Sequence, residues 1–405
     1  MALLPLLLLA AVTGASNVTL LAPGGDLAET SLAQSGDRIV MAAMAHTAPA
    51  PIEIFVSRDG GLEWEKAAER GLSVGGKTYS YAGDPTMVTL DDGTFGLAYL
   101  TNSATYAVPQ GQIVLVYERS ADGTAWSAPI VIDDGPSYPF LFVDKPTISV
   151  DPIRGTLVLT WTRNPFGAPS QNMIAISTDR GATWSTPRAM SSGESSAQAV
   201  ATADGTLVVT SLDLTNGKFL ARFSADGGAS FSAPQEIGVN ADFFRLPPTN
   251  AFSPAVQSTA AFRGDVYCAY PTRTGVFFTR SRDGGKTWSA PLPLAGAHGY
   301  AILPSLAVDE VSGDVVVSWL DARDDPDQAT FRLYAAQSHD GGATFDAPLA
   351  FSPSFGGGSV MGDYNGSLVI QKGVVVTTFS ASGGYLNAAR LVFAPPPTRR
   401  RAARH

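Results

Sequence analysis

The chain has 405 residues and a net charge of -9, with 45% apolar and 16% charged residues and one cysteine. That is ample for a folded body with a core, and the acidic balance excludes nucleic acid as the main partner. The lone Cys268, inside "DVYCAY", excludes a disulfide framework and reads as a small buried core residue.

The first fifteen residues, "MALLPLLLLAAVTGA", form an apolar run that ends in small residues and is too short for a membrane span. They read as a signal peptide cut near Ala15, which predicts a secreted, extracellular or periplasmic protein with no stable membrane span. A strand-like run, "NVTLLA", follows. From Ser57 onward one polar turn recurs six times: "SRDGGLEW", "SADGTAW" from Ser120, "STDRGATW" from Ser177, "SADGGASF" from Ser224, "SRDGGKTW" from Ser281 and "SHDGGATF" from Ser338. Self-similarity on this scale marks one repetitive domain, predicted here over residues 16–394. Residues 395–405 read as a disordered basic tail whose four arginines leave the remainder at -13 by subtraction.

Between the turns, apolar and polar residues alternate in short runs broken by Gly, Asp and Pro, so the chain is all-β. The third unit shows the pattern: "KPTISVD", "TLVLTW", "NMIAIST" and "TWSTPRAM" read as a four-stranded antiparallel meander. One such sheet cannot bury both faces, whereas a radial set can, which predicts a β-propeller. After the sixth turn three strand-like runs remain, "NGSLVIQ", "GVVVTTFS" and "LNAARLVF". The early run "NVTLLA" supplies their missing fourth strand, giving seven blades closed by both termini; a six-bladed ring is the alternative. In each turn the Asp is expected to accept backbone N–H groups, Gly to take positive φ, and the aromatic residue to start the fourth strand and pack on the neighbouring blade.

The pattern Ser-x-Asp-x-Gly-x-Thr-Trp resembles the Asp box, or BNR repeat, of sialidase-like β-propellers. That resemblance implies the scaffold, and it leaves two functions: an exo-glycosidase of sialidase type acting on terminal sialic acid or another acidic sugar, or a non-catalytic propeller that binds glycan or protein. Sialidases resemble one another in an Arg-Ile-Pro element before the first box, further arginines on the sugar carboxylate, an Asp acid/base, and a Tyr nucleophile helped by Glu. Here the first blade opens "LAETSLAQ" without that Arg, and the nearest likeness, Arg245-Leu246-Pro247, lies in mid-chain.

Propeller topology sorts the other candidates. Blade-to-blade links and loops between second and third strands share one end; the repeated turns lie at the other. Arg163, Arg273 and Arg323 follow second strands and Arg245 lies in a link, so all four are substrate-binding candidates at the link end, joined by Asp363. Asp84 and Asp144, at the starts of first strands, are candidate general acids. Tyr364 in "GDYNGSL" resembles the sialidase nucleophile setting, with Glu29 and Glu194 as the rim glutamates that could serve as its base. Long aromatic links at this end suit a sugar ligand. Four histidines at 46, 298, 339 and 405 show no zinc spacing, and no cofactor fingerprint occurs, so neither metal nor cofactor is expected. The expected partner is a glycan or glycoconjugate, and the expected state a monomer.

Overall fold

The computed structural model describes residues 15–22, 27–47, 49–103, 112–134, 141–151, 153–239, 256–272, 275–294, 300–356, 368–381 and 385–393. Tyr364, Asp363, Arg245 and Arg273 lie outside these residues. Among the described residues, strands form seven antiparallel sheets, each a meander of at least four strands, plus a two-stranded hairpin, Ser73–Val74 with Lys77–Thr78. Among the described residues no helix is long and apolar enough to cross a membrane.

The innermost strands of blades 1 to 7 are Leu27–Ser35, Tyr81–Thr89, Leu141–Val150, Glu194–Ala201, Ser258–Phe262, Ala301–Val308 and Leu368–Gln371. Each touches the next, and the seventh touches the first, so they wall a central channel. Blade 7 takes its fourth strand from the start of the chain: Ala15–Ala22 pairs antiparallel with Tyr385–Val392, with Val18 opposite Ala389. Seven blades closed by both termini are therefore what the chain forms. The closing seam is also cross-tied, with Thr30 and Thr378 hydroxyls 2.5 Å apart and the Ser380 hydroxyl donating to Leu27 O at 2.5 Å.

The core lies between blades rather than at one centre. Phe95, Leu97 and Tyr99 of blade 2 pack on Val40, Ile54 and Val56 of blade 1, and Leu157, Leu159 and Trp161 of blade 3 pack on Leu115 and Tyr117 of blade 2. The same arrangement recurs at every seam through the seventh blade and back to the first. Cys268 is fully buried in one of these seams, and burial pushes its thiol up to about 12, so it is an inert packing group.

The repeated turns close these seams. In the first, Ser57 Oγ donates to Asp59 Oδ1 at 2.8 Å and accepts the Gly61 N–H at 2.9 Å, while Asp59 Oδ1 accepts the Leu62 N–H at 2.9 Å. The aromatic residue belongs to the turn and not to the fourth strand, which starts later, at Ile130 in blade 2 and Arg188 in blade 3. In three copies it also ties the turn, the Trp64, Trp126 and Trp288 indole N–H groups donating to the Gly61, Gly123 and Gly285 carbonyls at 3.1 to 3.2 Å. The ring then packs on the preceding blade, as Trp184 does edge-on to Tyr117, 5.1 Å between centroids.

Candidate functional site

The innermost strands are not regular at the link end. In blades 1, 2, 3, 4 and 6 the register slips by one residue, between Ala28 and Ser31, Gly83 and Thr86, Asp144 and Thr147, Ser195 and Gln198, and Ile302 and Ser305. Each slip is a β-bulge, and each holds one non-glycine residue at positive φ: Glu29 (47°), Asp84 (53°), Lys145 (53°), Ser196 (56°) and Leu303 (52°). In three of them the next residue is Pro85, Pro146 or Pro304, which has no N–H for the ladder and so falls naturally at the unpaired position. Such backbone costs about 1–3 kcal/mol per residue and persists where the surroundings enforce it, often at functional sites.

What enforces it is a ring of hydroxyl and amide side chains that link blade to blade. Ser31 Oγ accepts the Met87 N–H at 2.9 Å, Thr86 Oγ1 the Ile148 N–H at 3.2 Å, Gln198 Oε1 the Thr259 N–H at 3.0 Å and Ser258 Oγ the Leu306 N–H at 2.9 Å. These residues line a cavity of about 170 Å³ in the channel, with walls drawn from blades 1 to 6. Three of the positive-φ bulge residues, Lys145, Ser196 and Leu303, line this cavity as well.

Two predicted residues, Glu29 and Asp84, occupy equivalent bulge positions in adjacent blades, and Asp144 precedes the third such position, Lys145. Asp84 Oδ2 accepts the Lys145 N–H at 3.1 Å, and Lys145 Nζ lies 3.8 Å from Asp144 Oδ1, so these three form one cluster at the mouth. Glu29 is 9% exposed. The remaining described candidates are held elsewhere. Glu194, buried, accepts Arg222 Nη1 at 2.7 Å and the Ser211 hydroxyl at 2.6 Å within blade 4, and Arg222 Nη2 bonds its second oxygen. Arg163 grips the buried Asp133 of blade 2 with two parallel bonds, Nε at 2.8 Å and Nη2 at 2.5 Å, while the Trp161 indole donates to the same carboxylate at 2.7 Å. Arg323 donates to Asp321 at 2.5 Å and lies 4.4 Å over the Tyr334 ring; Trp319 donates to that Asp at 2.7 Å.

Residues 143–295 match a BNR repeat-like domain. A protein of unknown function from Dyadobacter fermentans is similar over 95% of this chain and 100% of its own, at 15% identity and TM-score 0.53. The Hadza microbial sialidase Hz136 is similar over 88% of this chain and 73% of its own, at 18% and 0.51. The chain thus carries a BNR repeat-like segment and shares its propeller fold with a sialidase. An α-L-arabinanase from Penicillium chrysogenum, complexed with arabinobiose, shares the fold over 76% of this chain and 94% of its own, at 16% and 0.53. No curated protein matches the sequence.

The bulge residues Lys145, Ser196 and Leu303 and the ion-pair partners Asp133, of Arg163, and Arg222, of Glu194, were not singled out by sequence reasoning. For the bulges a signal exists: "DPT" at Asp84, "KPT" at Lys145 and "LPS" at Leu303 repeat a residue-Pro-hydroxyl triplet at the same place in three blades. For Asp133 none does, since it and Arg163 lie 30 residues apart in different blades, whereas Asp321 and Arg323 are two residues apart in one short run. Among the described residues no group of three or more His, Cys, Asp or Glu is placed to hold a metal ion.

Proposed function

We propose that this propeller binds a glycan with one sugar unit in the channel mouth and acts on it as an exo-glycosidase. The observation that carries this is the set of carboxylates, Glu29, Asp84 and Asp144, presented by strained bulges around one mouth on one end of the ring. Glycoside hydrolysis needs an acid at the leaving oxygen and a nucleophile or base on the other side of the ring. Asp84, anchored by the Lys145 N–H, is the acid, with Asp144 beside it; Tyr364, assisted by Glu29, is the nucleophile. Glu194 is the weaker choice of base because Arg222 already neutralises it.

The finer reading, a terminal sialic acid or another acidic sugar, needs cations for the sugar carboxylate; Arg163 and Arg323 are engaged by Asp133 and Asp321, and Arg245 and Arg273 lie outside the described residues. A second reading, a non-catalytic glycan- or protein-binding propeller, is favoured by those same commitments, since Arg163 and Arg323 already hold Asp133 and Asp321. Secretion behind the leader of residues 1–15, and a monomeric state, belong to either reading. Release of a fluorophore from sialosides and arabinosides separates them. Turnover by the wild type that falls at least a hundredfold in Asp84→Asn and in Tyr364→Phe supports the enzyme. Binding on a glycan array with no turnover of any substrate supports the second reading.

A further inference from the structure

Among the described residues the exposed large aromatic side chains are Phe142 (43% exposed), Phe166 (85%) and Tyr385 (44%). All three lie at the link end, as does the exposed Leu214, whereas the exposed Leu62, Ile153 and Val311 lie at the other end. Two of the three belong to blade 3, the blade that carries Asp144 and Lys145. Phe142 and Asp144 are two apart on the innermost strand and so share a face. Phe166 stands just past Pro165, whose partner across the ladder is Leu141.

Phe166 is held out by local structure. Pro165 to Ala168 form a tight turn: Gly167 takes φ +76° and the Ala168 N–H reaches Pro165 O at 3.4 Å. A Gly at the third position with positive φ fits a type II turn, which places Phe166 at the second position with its side chain outward. The loop is stapled on both sides, Ser170 Oγ donating to Asn164 Oδ1 at 2.6 Å and Ser170 O accepting the Gly193 N–H at 2.8 Å. The loop that carries the ring is therefore preorganised, and it holds the ring out of the core.

We propose that Phe166, with Phe142, forms an aromatic wall beside the channel mouth that stacks on the second sugar unit of the ligand, so that the ligand is an oligosaccharide or glycoconjugate and not a free monosaccharide. This rests on the glycan reading of the mouth. The C–H face of a pyranose or furanose ring matches an aromatic face, while the first unit's hydroxyls meet the carboxylates below. A proline-rich peptide is the other ligand an exposed aromatic wall could take, and the carboxylates and hydroxyl-lined cavity at its foot favour the sugar.

The test uses the full chain on an array of mono-, di-, tri- and tetrasaccharides, followed by titration of the best series. Wild type is expected to bind the disaccharide about tenfold more tightly than its terminal monosaccharide. In Phe166→Ala that gain shrinks to less than threefold, and in Phe166→Trp it is retained. Equal gains with length in wild type and Phe166→Ala, with Asp84→Asn still weakening every sugar, overturn the wall and leave the mouth standing. If no sugar on the array binds, or Asp84→Asn binds all of them as the wild type does, the mouth reading fails and the wall with it. Capture of a proline-rich peptide that Phe166→Ala abolishes, without sugar binding, also overturns it.

Discussion

One glycine in each repeated turn carries two constraints at once. Gly61, Gly123, Gly181, Gly228, Gly285 and Gly342 all have positive φ, and a Cβ on each would press into the preceding blade. At Gly181 (φ +85°) it would sit 2.1 Å from Tyr117 Cε1; at Gly123, 2.5 Å from Val40 Cγ2. Gly181→Ala is expected to destabilise the protein by about 2–4 kcal/mol, from backbone strain and overpacking together. Gly36→Ala, with nothing within 4 Å of the added carbon, should cost only about 1 kcal/mol. Urea unfolding of the two variants checks the difference. The neighbouring aspartates make these turns pH-sensitive. The Thr124 N–H and hydroxyl pull the Asp122 carboxyl down to about 2, and the Thr183 hydroxyl and N–H do the same for Asp179. A carboxyl whose folded value lies below its unfolded ~3.9 stabilises the fold above that pH and loses the contribution as pH falls towards the folded value. The thermal midpoint should therefore drop most steeply between about pH 4 and pH 2, and Asp179→Asn should flatten that limb. An unchanged slope would show that the turn carboxylates do not drive acid unfolding.

At the scale of elements, the strand Ala15–Ala22 decides whether the ring is closed. Its removal exposes the edge of Tyr385–Val392 and uncovers the hydrophobic seam between blades 6 and 7, where Val18 packs. Deletion of residues 15–22 is expected to lower the thermal midpoint and broaden the transition. Because Ala15 lies opposite Val392, a chain that carries 15–22 after a short turn beyond Phe393 rebuilds the strand as a hairpin and should recover the midpoint. Calorimetry of both forms tests this; an unaltered midpoint on deletion would remove the strand from the closure. Much of this level was legible in the sequence. The repeated turns announce themselves because a tight turn is specified by a few adjacent residues, and seven blades follow from counting strands without a partner. The hairpin at residues 73–78 and the extra strand Phe355–Gly356 on blade 6 were not foreseen, since two-residue strands carry no alternation to read. The site was less legible: Asp84 and Glu29 were chosen for their place at strand starts, while the bulges that present them depend on interblade bonds such as Ser31 to Met87. Arg163 looked like a free rim cation because Asp133, which holds it, belongs to the preceding blade.

At the scale of the whole molecule, the ring is nearly symmetric and the mouth is not. Blades 1 to 3 present Glu29, Asp84 and Lys145 at equivalent bulges, whereas blades 4 and 6 present Ser196 and Leu303. Scaffold and site thus divide the sequence between them: the repeated turns at one end hold seven sheets in register, and the unrepeated residues at the other differentiate one side of the channel. On the glycan reading, the charged bulges of blades 1 to 3 would face the ligand, whereas Ser196 is buried and Leu303 packs into a core seam. The most direct measurement is a crystal structure of the full chain with the best-binding glycan from the array. Sugar density in the channel mouth, with a hydroxyl or glycosidic oxygen within hydrogen-bonding distance of Asp84 and Glu29, is the predicted result. Density confined to the end that carries the repeated turns, or to the outer flank of a blade, would contradict it.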